Sequence, residues 1–163
     1  MKLLNNIQIR TELKPGDIGY ITYLHGILYS NEFLHGIAFE SIVAGGLHEF
    51  YSTYNPKNER IWIAEHEGKI VGCLLLKNRD KSAQLRYYLI LPEYRGIGLG
   101  NKLMQLFMEF SKECGYKHVY LWTTNELGKA AYIYKKFGFQ LTEEKATSDF
   151  GKELTEQRYD LEF

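Results

Sequence analysis

A six-residue glycine-containing loop is the part of the chain with the clearest chemical potential. Arg95-Gly96-Ile97-Gly98-Leu99-Gly100 lies between a predicted strand that ends at Pro92 and a predicted helix that begins near Leu99. The first N–H groups of a helix lack intrahelical partners, and the helix dipole adds roughly half a positive charge there. Glycines let an anion approach the backbone, and Arg95 can add a charge-assisted hydrogen bond. The spacing therefore indicates a pyrophosphate site.

Two better-known phosphate-binding motifs do not fit this loop. No Gly-Lys-Ser/Thr follows it, which excludes a P-loop. The preceding elements do not open a parallel βαβ unit, and no acidic residue ends the next strand, which argues against a dinucleotide-binding fold. Glycines before a helix also occur for packing reasons, so the loop alone leaves anion binding and packing both open.

The apolar residues change period along the chain and so predict the elements around this loop. Helical spacing runs from a cap at Asp17 to about Leu28, and again from about Ala38 to Tyr54. Further predicted elements are strands at Ile7–Thr11, Arg60–Glu65, Ile70–Lys77, Ala83–Leu91, His118–Thr123, Phe139–Glu144 and Gln157–Leu161, and helices at Leu99–Cys114 and Leu127–Tyr134. This order predicts a mixed α/β sheet in a single domain over residues 1–163.

Composition narrows the class of protein. Lysine plus arginine equals aspartate plus glutamate at 20 each, so we expect neither nucleic-acid nor membrane-surface binding. No apolar run reaches the roughly 20 residues that span a bilayer. The two cysteines, Cys73 and Cys114, are isolated and predict neither a disulfide scaffold nor a metal site. We expect a cytoplasmic protein that uses no metal.

Two motifs resemble those of the GNAT superfamily of N-acetyltransferases. The segment Leu89–Gly100 resembles its coenzyme A motif, and Ala130–Phe139 resembles its helix and strand that end in Tyr-x-x-x-Gly-Phe. The resemblance implies a mixed, mostly antiparallel sheet, flanked by about four helices and splayed at the acyl-CoA site. It also implies that acetyl-CoA is the co-substrate. The implied contacts are the backbone of Ile90 and Leu91 for the pantetheine arm, and Arg95, Gly96, Ile97, Gly98, Leu99 and Gly100 for the pyrophosphate.

Four shorter segments are similar to acetyltransferase domains that follow a MarR-type DNA-binding domain. They are Pro15–Gly19, His25–Tyr29, Leu121–Thr123 and Thr155–Tyr159. This sequence has no room for the DNA-binding part, so any transcriptional role would need a separate partner.

The resemblance assigns a general acid but leaves the general base open. Tyr134 matches the tyrosine that protonates or hydrogen-bonds the departing CoA sulfur, and Tyr132 is the weaker candidate. Gln84 stands where many relatives carry a glutamate base. Since glutamine cannot accept the proton, a water chain or an amine that arrives neutral could replace the base. Reserve bases are His25, Glu32 and His48.

The acceptor site is the least explicit part of the sequence. By resemblance it is built from the first two helices and the last hairpin, which points to His25, Tyr29 and Glu32, with Trp62 and Arg158 as further candidates. Gln84 and Arg86 share one strand face, and Arg86 could recognise an anionic acceptor. Asn125 is a weak candidate for a CoA contact, because Leu127 occupies the place of the family's asparagine.

Three functions follow from these residues. The first is acetyl transfer to a small-molecule amine or an amino-acid-like metabolite. The second is acetyl transfer to a protein or peptide, and the third is a non-catalytic acyl-CoA-binding module. A homodimer is left open.

Overall fold

The structure, a computed structural model, describes residues 4–163. The predicted single domain over residues 1–163 therefore includes three residues outside the described part. The strands are β1 (Gln8–Arg10), β2 (Arg60–His66), β3 (Lys69–Arg79), β4 (Ser82–Ile90), β5 (His118–Thr124), β6 (Gln140–Thr147) and β7 (Leu154–Glu162). The helices are α1 (Asp17–Phe33), α2 (Ile37–Ser52), α3 (Leu99–Glu113) and α4 (Gly128–Lys136), with short 3₁₀ turns at Leu4–Asn6 and Pro92–Tyr94.

The described residues form two compact units, each built from separate stretches of the chain. The first unit contains the residues up to Glu12, Asn55–Leu121 and Leu161–Phe163, and the second contains Leu13–Tyr54 and Trp122–Asp160. That the chain folds as one domain stays a prediction.

In the first unit the strand order is β1-β2-β3-β4-β5. All neighbours are antiparallel except β4 and β5, which pair in parallel. The turn between β2 and β3 uses two left-handed residues, Glu67 and Gly68, and joins the two strands that the sequence predicts on either side of it. Helix α3 buries its periodic apolar face, and Phe107 and Phe110 meet Trp62 edge-on. This contact fixes the last turns of α3, and the buried Leu99 and Leu103 hold its beginning, which follows the glycine loop, in the first unit.

In the second unit the strand order is β5-β7-β6, and β6 and β7 are antiparallel. Helices α1 and α2 bury the residues of their apolar faces, which are Ile21, Leu24, Val43, Leu47 and Phe50. The predicted cap at Asp17 is wrong in its detail. Gly16 precedes the helix in a left-handed conformation, and the Asp17 Oδ2 accepts a hydrogen bond from the upstream N–H of Lys14 at 2.6 Å. The carboxylate therefore fixes the turn before α1.

The fold prediction is confirmed at the level of class. The described residues contain four α-helices and seven strands in a mixed, mostly antiparallel arrangement. The implied splaying at the acyl-CoA site stays a prediction. None of the helices among residues 4–163 is both long enough and apolar enough to cross a membrane.

Candidate active site

The glycine loop of the first unit has the geometry of an anion site. Gly96 and Gly98 have φ of 77° and 93°, which few side-chain-bearing residues adopt. Helix α3 begins directly after Gly98, and its first turn contains no acidic residue. A Cβ placed on Gly96 would meet no atom within 4 Å, so packing does not explain this glycine. The open helix start and the two left-handed glycines together fit a bound pyrophosphate.

The residues before the loop use most of their hydrogen-bonding groups locally. The Leu91 N–H donates to the Val71 carbonyl at 2.9 Å, and the Leu91 carbonyl accepts from Tyr94 N–H at 2.9 Å. The Arg95 Nε donates to the Ile90 carbonyl at 3.0 Å while Arg95 stays exposed. A pantetheine contact by Ile90 and Leu91 stays a prediction, and an Ile90 carbonyl contact would share its acceptor with Arg95.

A β-bulge in β4 is a feature that the sequence did not predict. Between the pairs Cys73–Leu89 and Leu75–Arg86 the register slips by one residue, and Tyr87 there has φ of 52°. The Cys73 thiol donates to the Tyr87 carbonyl at 3.1 Å. Burial raises the pKa of Cys73 to about 12, so this cysteine remains a thiol that supports the bulge rather than a nucleophile. A tyrosine carries no signal for a left-handed conformation, which is why the bulge was missed.

Residues Gln84 and Arg86 lie on β4 in the first unit and have neighbours of their own. The Gln84 Oε1 accepts from Arg79 Nε at 2.9 Å, and the Arg86 guanidinium lies 4.8 Å from the centre of the Tyr87 ring. Gln84 is thus held as a neutral hydrogen-bonding group, which agrees with the absence of a carboxylate base at this position.

Tyr134 lies in the second unit, in a buried aromatic setting. Its ring centre is 6.2 Å from that of Phe139 and 5.9 Å from that of Tyr159. Gly138, at φ 96°, turns the chain so that the Phe139 N–H reaches the Tyr134 carbonyl at 3.1 Å. The Tyr-x-x-x-Gly-Phe motif therefore has a structural cause: it ends α4 and packs Tyr134 against the following strand. Tyr132, by contrast, is 71% exposed.

A family model described as the acetyltransferase (GNAT) family matches residues 31–139, which include both the glycine loop and Tyr134. The chain belongs to the GNAT family.

Individual relatives agree with this family. The chain is 35% identical over 98 residues to the uncharacterized N-acetyltransferase YjgM of Escherichia coli (strain K12), a match that covers 58% of this chain and 59% of that protein. The chain thus spans just over half the length of this curated relative.

Solved GNAT structures share the fold over nearly the whole chain. An acetyltransferase of the GNAT family from Staphylococcus aureus Mu50 has a TM-score of 0.78 at 23% identity, and the match covers 96% of this chain and 98% of that one. A GNAT acetyltransferase from Elizabethkingia anophelis, solved with acetyl-CoA bound, has a TM-score of 0.68 at 19% identity and covers 98% and 99%. The prediction of an acetyl-CoA-dependent acetyltransferase is thereby confirmed at the level of the family.

Among the predicted acceptor residues of this GNAT chain, the α1 residues lie in different environments. His25 is buried, and its Nδ1 lies 2.8 Å from the Ile21 carbonyl. Burial lowers the pKa of His25 to about 4, so the imidazole is neutral at pH 7. Tyr29 is half-buried and stacks on His25 with ring centres 6.0 Å apart, whereas Glu32 is exposed. An acceptor role for these three stays a prediction, and His25 has the environment of an internal helix contact.

The three remaining candidates, which are Asn125, Arg158 and Trp62, already have structural contacts of their own. The Asn125 Oδ1 accepts from Thr155 N–H at 3.2 Å, and the Asn125 N–H donates to the Thr155 carbonyl at 2.9 Å, which links the end of β5 to β7. Arg158 binds Asp160 with two nitrogens, and Trp62 is buried in the first unit. The predicted CoA contact of Asn125 therefore needs its amide nitrogen, because the oxygen is already in use.

The structure adds one histidine that the sequence analysis did not name. His35, in the turn between α1 and α2, is buried, and its Nε2 lies 2.9 Å from Glu126 Oε2. The Glu126 Oε1 in turn pairs with Lys152. Glu126 and Lys152 are distant from His35 in the chain, so no local pattern could have predicted the contact. Within residues 4–163 no group of three or more His, Cys, Asp or Glu residues could hold a metal ion.

Proposed function

We propose that this protein transfers an acetyl group from acetyl-CoA to the primary amine of a small molecule or an amino-acid-like metabolite. The observation that carries the proposal is the glycine loop. Its two left-handed glycines precede a helix start that lacks acidic residues. This arrangement suits the pyrophosphate of a CoA thioester and gives no means of activating a phosphate for transfer.

Acyl transfer from a thioester asks the protein mainly to orient the reactants and to move two protons. The amine nitrogen attacks the carbonyl carbon, a C–N bond forms and the C–S bond breaks. We assign Tyr134 as the general acid, whose phenolic proton passes to the departing CoA sulfur, and the phenol then regains a proton from water. The buried setting of Tyr134 supports this role, because a fixed side chain can hold its hydroxyl in one place.

The second proton, from the attacking amine, has no carboxylate acceptor at the usual position. Gln84 is neutral and is already bonded to Arg79. We therefore propose that the amine binds in its neutral form or loses its proton to water. This predicts a rate that rises with pH toward the pKa of the acceptor amine.

Two other functions remain as alternatives. A non-catalytic acyl-CoA-binding module is favoured only by the missing carboxylate at position 84. A protein or peptide acetyltransferase would act on a cationic segment, and zero net charge gives little electrostatic attraction for one.

Several narrower expectations stay predictions. These are the cytoplasmic location, the homodimer, the absence of direct nucleic-acid binding, and the particular similarity to domains that follow MarR-type DNA-binding domains.

The test is release of free CoA thiol from acetyl-CoA in the presence of a panel of primary amines. Tyr134→Phe should lower kcat by about 10²-fold or more, because it removes the proton donor while keeping the ring. Its dissociation constant for acetyl-CoA, measured by calorimetry, should stay unchanged. Tyr132→Phe on the exposed side of α4 is the matched control and should keep wild-type turnover.

Two results would overturn the proposal. Wild-type turnover in Tyr134→Phe would remove the general-acid role. Tight acetyl-CoA binding with no thiol release on any amine would favour the non-catalytic module.

A further inference from the structure

A group of aromatic side chains surrounds His35 in the second unit. We call it the His35 cluster and define it as Tyr29, Phe33, His35, Phe39 and Phe150. Tyr29 and Phe39 stack with ring centres 4.4 Å apart and an interplanar angle of 22°. Phe39 also meets His35 edge-on at 4.9 Å. The cluster joins the end of α1, the beginning of α2 and the segment between β6 and β7.

The rings of the His35 cluster do not form an ordinary core. The His35 side chain is 1% exposed, whereas the four other rings are all half-buried. Aromatic surface that is packed on one side and open on the other is suited to receive a further apolar group. The buried imidazole lies under this surface as its polar element.

The charges beside the cluster are paired with one another. The Glu126 carboxylate contacts His35 Nε2 at 2.9 Å and Lys152 Nζ through its other oxygen, and Lys152 also donates to the Phe33 carbonyl. Burial by itself raises the pKa of Glu126, but the hydrogen bonds and positive charge of Lys152 and His35 outweigh it and lower that pKa. The carboxylate is therefore ionised and neutralised in place, so it offers little to a charged side chain of a ligand.

One polar atom in the cluster lacks a partner among residues 4–163. The Glu126 carboxylate can only accept, so His35 Nε2 is the donor of the hydrogen bond between them. His35 Nδ1 is buried and has no hydrogen-bond partner in this part of the chain. Leaving such an atom unsatisfied is unfavourable. A hydrogen-bonding group of a ligand would satisfy it.

We propose that the His35 cluster binds the side chain of the acceptor, and that the acceptor is a primary amine with an aromatic side chain that carries a hydrogen-bonding group such as a hydroxyl. The proposal rests on the proposed acetyl transfer and adds the substrate class. The ring of the acceptor packs against the exposed parts of the Tyr29, Phe39 and Phe150 rings. Its polar group forms a hydrogen bond with His35 Nδ1.

The experiment measures CoA thiol release with four probe amines: tyramine, phenethylamine, butylamine and putrescine. We expect kcat/KM for phenethylamine to exceed that for butylamine by about tenfold or more, because the aromatic ring buries more apolar surface than the alkyl chain. Tyramine should exceed phenethylamine by about fivefold, because its hydroxyl adds one hydrogen bond. Putrescine should be no better than butylamine, since it also lacks an aromatic ring.

Variants of the cluster connect this preference to named residues. Phe39→Leu and Phe150→Leu should raise KM for tyramine by about fivefold or more without changing KM for acetyl-CoA. His35→Gln can still donate to Glu126 and should remove the advantage of tyramine over phenethylamine. Tyr51→Leu replaces an exposed aromatic residue of α2 outside the cluster and is the matched control. Circular dichroism spectra and melting temperatures check that each variant is folded.

The outcomes separate this inference from the proposed function. Equal or better turnover with butylamine or putrescine would overturn the inference and leave acetyl transfer intact. Equal rates for tyramine and phenethylamine would overturn the role of His35 Nδ1. If no amine is acetylated, the proposed function fails, and calorimetry with tyramine on the CoA-loaded protein decides the inference. Tyramine binding that is weakened in Phe39→Leu supports it, and absence of binding overturns it.

Discussion

The glycine loop of the first unit and the His35 cluster of the second are built from different parts of the chain. The loop consists of six consecutive residues, Arg95–Gly100, and offers backbone N–H groups and left-handed turns. The cluster consists of side chains from α1, α2 and the segment that contains Phe150. A site made from backbone tolerates most side-chain changes but no change of conformation. A site made from side chains changes its specificity when a side chain is substituted, even if the backbone stays the same. Relatives that share one fold can therefore differ in acceptor at such a site.

The two units also differ in the carboxylate that fixes their loops. In the first unit Glu59 pairs with Lys77 at 2.8 Å, with side chains 3% and 7% exposed, and it accepts hydrogen bonds from the N–H groups of Asn55 and Asn78. In the second unit Glu126 is 24% exposed. The first pair is therefore shielded from water, while the second lies partly open beside the proposed acceptor site.

The largest expected effect is the loss of folding stability when one of these two carboxylates is replaced by an amide. Glu59→Gln should lower the free energy of unfolding by about 3–5 kcal/mol, because it removes the carboxylate that neutralises the buried Lys77 charge. Glu126→Gln should cost no more than about 1 kcal/mol, since water can reach that ion pair. Urea denaturation at pH 7 measures both. An equal loss in the two variants would contradict the distinction between a shielded and an open network.

A second prediction asks whether the loop really depends on backbone conformation. Gly98→Ala places a Cβ on a residue at φ 93°, which costs about 1–2 kcal/mol and should weaken acetyl-CoA binding by about tenfold as the loop shifts. Gly45→Ala is the matched control, because Gly45 lies within α2 and a Cβ there meets nothing within 4 Å. It should leave the dissociation constant unchanged and stabilise the protein by about 0.5–1 kcal/mol. Titration calorimetry gives the binding values, and wild-type affinity in Gly98→Ala would show that the loop does not use this conformation.

The contrast between a loop of consecutive residues and a cluster of distant side chains explains how much could be predicted from the sequence. Local patterns carry local structure, so the order of strands and helices, the turn at Glu67-Gly68 and the left-handed glycines at 115 and 138 were all predictable. The glycine loop belongs to this group, since all its determinants are consecutive. The conformation of the glycine loop could therefore be predicted from the order of the residues alone, while its role in binding acetyl-CoA stays a prediction.

Contacts between distant segments were not predictable in this way. His35 and Glu126 are 91 residues apart, and neither residue type at its position signals the other. The left-handed conformation of Tyr87 was missed because tyrosine normally avoids it. The assignment of Asp17 as a helix cap was wrong because Gly16 is the residue that precedes α1, and the Asp17 carboxylate accepts a hydrogen bond from the preceding Lys14 N–H. In each case the conformation depends on a contact with another residue and not on the residue type alone. An acceptor site made of such contacts can be recognised only in the folded structure.

The smallest effect at neutral pH concerns the buried His25 of the second unit. Burial lowers the pKa of His25 to about 4 from an unfolded value of 6.5, so the unfolded chain takes up a proton first as the pH falls. The stability that neutral His25 contributes is fully present above pH 6.5 and is lost progressively between pH 6.5 and 4. His25→Gln should therefore flatten the dependence of unfolding free energy on pH in this window, by at most about 1.4 kcal/mol per pH unit. Urea denaturation between pH 5 and 6.5 tests it above the range in which Glu126 titrates, with the exposed His48→Gln as control. If the unfolding free energy of His25→Gln depends on pH as steeply as that of the wild type, His25 is open to water. That result would favour a role for His25 in acceptor binding.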